Sequence, residues 1–117
     1  MNKFAWRRIL AWAVSAFFVL GGAMNIAAPA SIVADYARWG YPAWFHYITG
    51  ALELLCAGLL LPRKTRAAGA VLGALVMGSA VLTLAVHGEW THVVLPAAVL
   101  IALAATRFRN RDGESLT

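Results

Sequence analysis

Glu53 is the residue whose placement most needs a chemical reason. About eight or nine positions separate it from either end of an apolar stretch at about 43–61. An acidic side chain at that depth in lipid costs roughly 2.5–3.5 kcal/mol, so it is expected to face the interior of a helical bundle and to have partners there. His46, Thr49 and Glu53 stand three and four apart and share one helical face. Ser79, Thr83 and His87 stand four apart in the next apolar stretch. With an axial rise of about 1.5 Å per residue, antiparallel helices bring Glu53 level with Ser79, Thr49 with Thr83 and His46 with His87. Facing stripes of this kind predict a polar crevice open to the outside and closed near the midplane by Glu53, with Asn25 at its rim. A carboxyl group in that position suits proton handling, or anchors the polar end of a lipophilic ligand. Ser and Thr in membrane helices also bond their own backbone or join helices at about 0.6 kcal/mol per contact. That accounts for Thr49, Ser79 and Thr83 without a ligand. It does not account for Glu53, since a Gln or Ser joins helices at lower cost.

Other chemistries find less support. His46, His87 and His92 with Glu89 are metal-ligand residue types, but their spacing matches no ligand motif, and no metal site is assigned. The lone Cys56 has no intramolecular disulfide partner and no second thiol for redox exchange; packing is its expected role. The chain has no phosphate loop, nucleophile elbow or dinucleotide fingerprint. It has no haem-ligand pair or flavin motif either, so any electron-transfer step depends on a bound molecule or a partner.

The elements that must position these residues follow from an alternation of apolar and basic segments. Of 117 residues 62% are apolar and 13% charged, where about a quarter charged is usual for a soluble domain, so the expected solvent is lipid. Four spans are predicted, at about 9–28, 43–61, 67–86 and 93–106, forming one all-α transmembrane domain over 1–117. Span one ends at Pro29. The small-residue run Ala28-Pro29-Ala30 also resembles a signal-peptide cleavage site, but the preceding apolar run exceeds a usual signal core, and a retained span is expected. Ser31 is placed to cap a short interfacial helix at about 32–39, with Asp35 and Arg38 on its polar side and Gly40 as its stop. Pro42 suits the first turn of span two, and Pro62 ends it. Span four is short, and must thin the bilayer, extend past Thr106, or hold its ends near the surface. A polar tail, expected to be mobile, runs from Asn110 to Thr117. Gly69 and Gly73 form a GxxxG pair suited to close helix packing, within the bundle or in a homodimer.

Nine of the ten basic residues fall on one side of this alternation: Lys3, Arg7 and Arg8; Arg63, Lys64 and Arg66; Arg107, Arg109 and Arg111. Basic flanks stay in the cytoplasm, so both termini are expected inside. The net charge of +5 is then a topology signal that also favours anionic lipid, not a nucleic-acid footprint.

The order of short motifs resembles the DoxX-like family of small four-span membrane proteins. The match rests on Gly22-Ala23-Met24-Asn25 with Pro29, on Ala37-Arg38-Trp39-Gly40-Tyr41-Pro42-Ala43-Trp44-Phe45, and on Gly50-Ala51-Leu52-Glu53. Leu61-Pro62-Arg63 and Val81-Leu82-Thr83 running to His87-Gly88-Glu89 extend it. The resemblance implies an inner-membrane protein linked to thiosulfate or quinone redox chemistry and oxidative-stress complexes. A distant animal branch assists receptor assembly. The family commonly carries Lys where this chain has Asn25, so the cationic partner that the resemblance implies for Glu53 is missing. The leading expectation is a protein that binds a small lipophilic or quinone-like molecule as an accessory to membrane redox or stress defence, with a membrane redox partner or a second copy as its company. A non-enzymatic assembly factor or structural subunit is the alternative, and a small proton-coupled exporter the third.

Overall fold

The computed structural model describes the backbone over residues 3–116 and the side chains over residues 5–106. Five helices account for almost all of it: α1 (Lys3–Ala27), α2 (Ala30–Arg38), α3 (Phe45–Leu60), α4 (Arg66–Val86) and α5 (Trp90–Leu116). No strand occurs among the described residues. Ala5–Ala27 and Arg66–Val86, at 23 and 21 residues, are long and apolar enough to cross a membrane; Phe45–Leu60 and Trp90–Thr106 are apolar but shorter.

The boundaries differ from the expected ones where turn chemistry prevails. Pro29, not Ser31, precedes the first turn of α2: its carbonyl accepts from the Ile32 and Val33 amides, and no side chain caps the helix. Ser31 therefore sits inside the first turn. Pro42 does not open α3. It lies in a turn in which the Phe45 amide bonds the Pro42 carbonyl, so α3 starts three residues later and is 16 residues long. That turn shortens the span expected from residue 43. Gly40 stops the chain after α2 with φ +82°, a conformation favourable only to glycine. At the other end α5 starts at Trp90 and its backbone stays helical to Leu116, past Thr106 and through the segment expected to be a mobile tail. The side chains of that segment lie outside the described residues.

α1 packs on α3, α3 on α4, α4 on α5, and α5 returns to α1. The α1–α3 crossing is set by glycine. A methyl group on Gly22 would lie 2.9 Å from the Gly50 carbonyl oxygen, and one on Gly50 would lie 2.9 Å from the Gly22 carbonyl oxygen, so the two backbones touch. The Ser15 hydroxyl donates to the Ala57 carbonyl further along, which fixes the antiparallel register. Gly69 lies against the backbone of Leu59 and Leu60 where α4 meets α3. Gly73 sits where four helices converge: an added Cβ would be 2.9 Å from the Cys56 sulfur, 3.0 Å from Leu103 and 3.1 Å from Phe18. Cys56 is fully buried and its thiol donates to the Gly69 carbonyl.

The core clusters at this convergence, with Val14, Phe18, Leu60, Ala70, Met77, Val99 and Leu103 packed together. Large apolar side chains are nevertheless abundant on the outside. Leu20, Leu75, Leu82 and Ile101 are each at least 65% exposed. Such a distribution suits an apolar solvent rather than water.

Candidate functional site

α3 and α4 touch through Gly69 and Gly73, but toward their other ends a cavity of about 470 Å³ lies between them. Glu53 forms part of its inner wall, with Thr49 on the same face of α3 and Ser79 and Thr83 across on α4. Leu72, Leu75, Val76 and Leu84 supply most of the remaining α4 surface. α2 folds back over the outer side, adding Ile32, Asp35, Tyr36 and Trp39. The crevice expected to be polar and open to the outside is therefore mainly apolar and roofed, because the amphipathic face of α2 needs an apolar surface to cover.

Glu53 is 4% exposed. Its Oε1 accepts a 2.5 Å hydrogen bond from Asn25 Nδ2. The same amide nitrogen donates to the Gly21 carbonyl at 3.2 Å, while Asn25 Oδ1 accepts from the Tyr36 hydroxyl at 2.9 Å. Tyr36 and Gly21 thus hold the Asn25 amide in the orientation that presents N–H to the carboxyl group. Asn25 lines the cavity and is also the direct partner of Glu53, a contact not expected from the sequence. Gly21 makes room for this contact: a Cβ there would be 2.6 Å from Glu53 Oε2. The Tyr36 phenol is pushed above its ordinary range chiefly by burial, so it stays neutral and available as a donor.

The two histidines stand apart from the cavity. His46 is buried, with Nδ1 donating 2.8 Å to the backbone carbonyl of Asn25. That carbonyl belongs to the last turn of α1, which has no further helical amide to receive it. His46 therefore caps α1. His87 is exposed and its Nδ1 bonds the Thr83 carbonyl at 2.8 Å. Neither lines the cavity. The Ser79 and Thr49 hydroxyls do line it, yet each bonds its own helix, Ser79 to the Leu75 carbonyl and Thr49 to that of Phe45. The described residues contain no cluster of three His, Cys, Asp or Glu side chains suited to a metal.

Two connections hold the roof in place. Tyr41 and Thr83 share a 2.5 Å hydroxyl–hydroxyl bond. Glu89, in the turn between α4 and α5, accepts from Arg38 Nη2 and from the Trp39 indole, both at 2.8 Å, while Arg38 also bridges to Asp35. Hydrogen bonds from Arg38 first, then from Trp39, hold the Glu89 carboxyl down at about 2. Pairing with Glu89 and Asp35 raises Arg38 correspondingly. This latch joins residues 51 positions apart, and no periodicity links them. The aromatic richness of 36–45 and the lone acid in the 87–92 turn were the available signals.

The model of the DoxX-like family matches residues 9–106, which covers α1 to the apolar part of α5 and every residue of the site. No curated protein and no solved structure matches the chain. The chain belongs to the DoxX-like family, and this membership together with its two long apolar helices supports a membrane protein.

Proposed function

We propose that this DoxX-like membrane protein crosses the bilayer four times and holds a small lipophilic or quinone-like molecule between α3 and α4, as an accessory to membrane redox or stress defence. The observation that carries the reading is the part-buried Glu53–Asn25–Tyr36 chain at the wall of a mainly apolar cavity of about 470 Å³. Ligand sites commonly combine an enclosed apolar volume of this order with a few polar groups in fixed positions. Glu53 supplies the acceptor, Asn25 and Tyr36 orient it, and α2 covers the outer side. Leu75 and Ser79 line the cavity and are also exposed on the outer surface of α4, so a ligand dissolved in the bilayer has a lateral way in. The 16 residues of α3 span about 24 Å, close enough to the hydrocarbon thickness for a crossing with local thinning.

The test is extraction into native lipid discs, followed by mass spectrometry of the bound lipophilic molecules. Wild type is expected to retain a stoichiometric small molecule, and Glu53→Gln to lose most of it with insertion and folding intact. Wild-type ligand content in both Glu53→Gln and Glu53→Leu overturns the reading. A stoichiometric protein partner in place of a ligand supports the assembly-factor alternative.

A further inference from the structure

We infer that the cavity selects a lipophilic ammonium: a protonated amine on a compact apolar body. The inference rests on the reading that the cavity binds a ligand, and concerns which chemistry fits it.

The chain has ten Lys and Arg against five Asp and Glu, yet the cavity has the opposite balance. Two acids, Asp35 and Glu53, line it, and no Lys, Arg or His does so among the described residues. Arg38 is near, through Asp35, but its guanidinium is committed to Asp35 and Glu89. Glu53 therefore faces a volume from which protein cations are absent, and its described hydrogen-bond donor, Asn25, is neutral. Both amide protons of Asn25 are accounted for, by the Glu53 and Gly21 oxygens, and its oxygen by Tyr36. Glu53 lines the cavity and its carboxyl group accepts from one donor among the described residues, so an N–H group of a bound ammonium would give it both a second donor and a counter-charge.

The remaining walls fit the same ligand. Tyr36, Trp39, Tyr41 and Phe45 all line the outer part, with Tyr41 and Phe45 stacked at 4.7 Å between centroids. Ring faces attract a cation, and the attraction is larger where water is excluded. On the α4 side the surface is aliphatic, which suits the apolar body. A neutral ligand satisfies that aliphatic surface but leaves the carboxyl without a counter-charge and does not use the ring faces.

Aminoadamantane and hydroxyadamantane share a cage and differ in carrying an ammonium or a hydroxyl group. Binding of each is measured by calorimetry to the full chain in discs of zwitterionic phosphatidylcholine, with empty discs as background. Wild type is expected to bind aminoadamantane at least about tenfold more tightly, a preference of the size that a desolvated cation contact supplies. Glu53→Gln should weaken aminoadamantane binding until the preference for it over hydroxyadamantane is gone. Ala80→Trp, which places a large side chain on the cavity wall, should bind neither while remaining monodisperse. Equal affinity of wild type for the two probes, or an unchanged preference in Glu53→Gln, overturns the ammonium assignment and leaves the ligand cavity standing. Undiminished binding of both probes by folded Ala80→Trp overturns the cavity reading itself.

Discussion

The Asn25–Glu53 contact joins two residues 28 positions apart on different helices, and its geometry sets what single substitutions should do. Asn25→Ala removes the donor to Glu53 and the acceptor for Tyr36 without creating a clash. A lost hydrogen bond to a charged or buried group is worth about 1.5–3 kcal/mol, so ligand retention should fall at least about tenfold in a titration, with the fold kept. Gly21 and Gly22 provide a paired contrast. Alanine at 21 meets the movable end of Glu53, whereas alanine at 22 meets the Gly50 carbonyl of the opposing backbone. Gly21→Ala is expected to displace the carboxyl group and weaken ligand binding with little loss of thermal stability. Gly22→Ala should destabilise the α1–α3 crossing by about 1–3 kcal/mol, read as a lower unfolding midpoint in detergent. Equal stability losses at the two positions would contradict the different neighbours assigned to them. The cost of an acid among apolar residues made Glu53 legible in the sequence. The role of Asn25 was not legible, because an isolated amide near a helix end carries no periodic signal of the carboxyl group it meets.

At the scale of elements, α2 is held by its latch more than by its packing. None of its residues is buried, and Glu89 binds both Arg38 and Trp39 beyond its end. Glu89 is held from its ordinary 4.5 to about 2, so its contribution is fully present above about pH 4.5 and is lost as pH falls through about 2. Amide protection in α2, taken relative to the intrinsic exchange rate at each pH, should fall over that window, and Glu89→Gln should show the low protection already at neutral pH. Slow exchange in the variant would assign the docking of α2 to Tyr36 and Tyr41 instead. Arg66 performs a comparable task at the opposite end. Its Nε donates to the Leu60 carbonyl and its Nη2 to that of Leu61, both at 2.8 Å, while the Thr65 hydroxyl bonds the Leu59 carbonyl. These carbonyls end α3 and lack helical amides. Arg66→Ala is therefore expected to cost about 2 kcal/mol in thermal unfolding, where an exposed basic residue would cost nearly nothing. Sequence spacing showed Arg66 as one charge of a basic turn, but whether such a charge projects to solvent or folds back on the preceding helix depends on turn geometry that composition does not encode. The starts of α2 and α3 were obscured for the same reason, since Pro29 and Pro42 were open to more than one local use.

For the whole molecule, the arrangement of charge and apolar surface predicts one orientation in a bilayer. α1 and α3 run antiparallel, as the Ser15–Ala57 and Gly22–Gly50 contacts require, so the Arg7–Arg8 end of α1 lies beside the Arg63–Arg66 turn. Asp35, Arg38 and Glu89 gather at the opposite end, where α2 is docked. This end-to-end polarity was legible in the sequence because basic residues punctuate the apolar runs, and the level polar positions of spans two and three marked where a crevice would lie; its mainly apolar lining and its cover by α2 were not legible, because they depend on how α2 folds back over two helices that touch at glycines over one half and part over the other. Basic segments resist translocation, and the end carrying Arg7, Arg8, Arg63, Lys64 and Arg66 should remain cytoplasmic. Single cysteines at Lys64 and Ser31, in a Cys56→Ala background, give a direct measurement. A membrane-impermeant maleimide added to intact cells should label Ser31→Cys, and should reach Lys64→Cys only after the membrane is opened. Reversing the charge bias should weaken that asymmetry: Arg63→Glu combined with Lys64→Glu removes two anchoring charges from the turn and adds two opposing ones, and a measurable fraction of the chains should then expose the turn outside. Labelling of both positions from both faces in the unmodified charge background would mean dual insertion, and the single orientation would have to be abandoned.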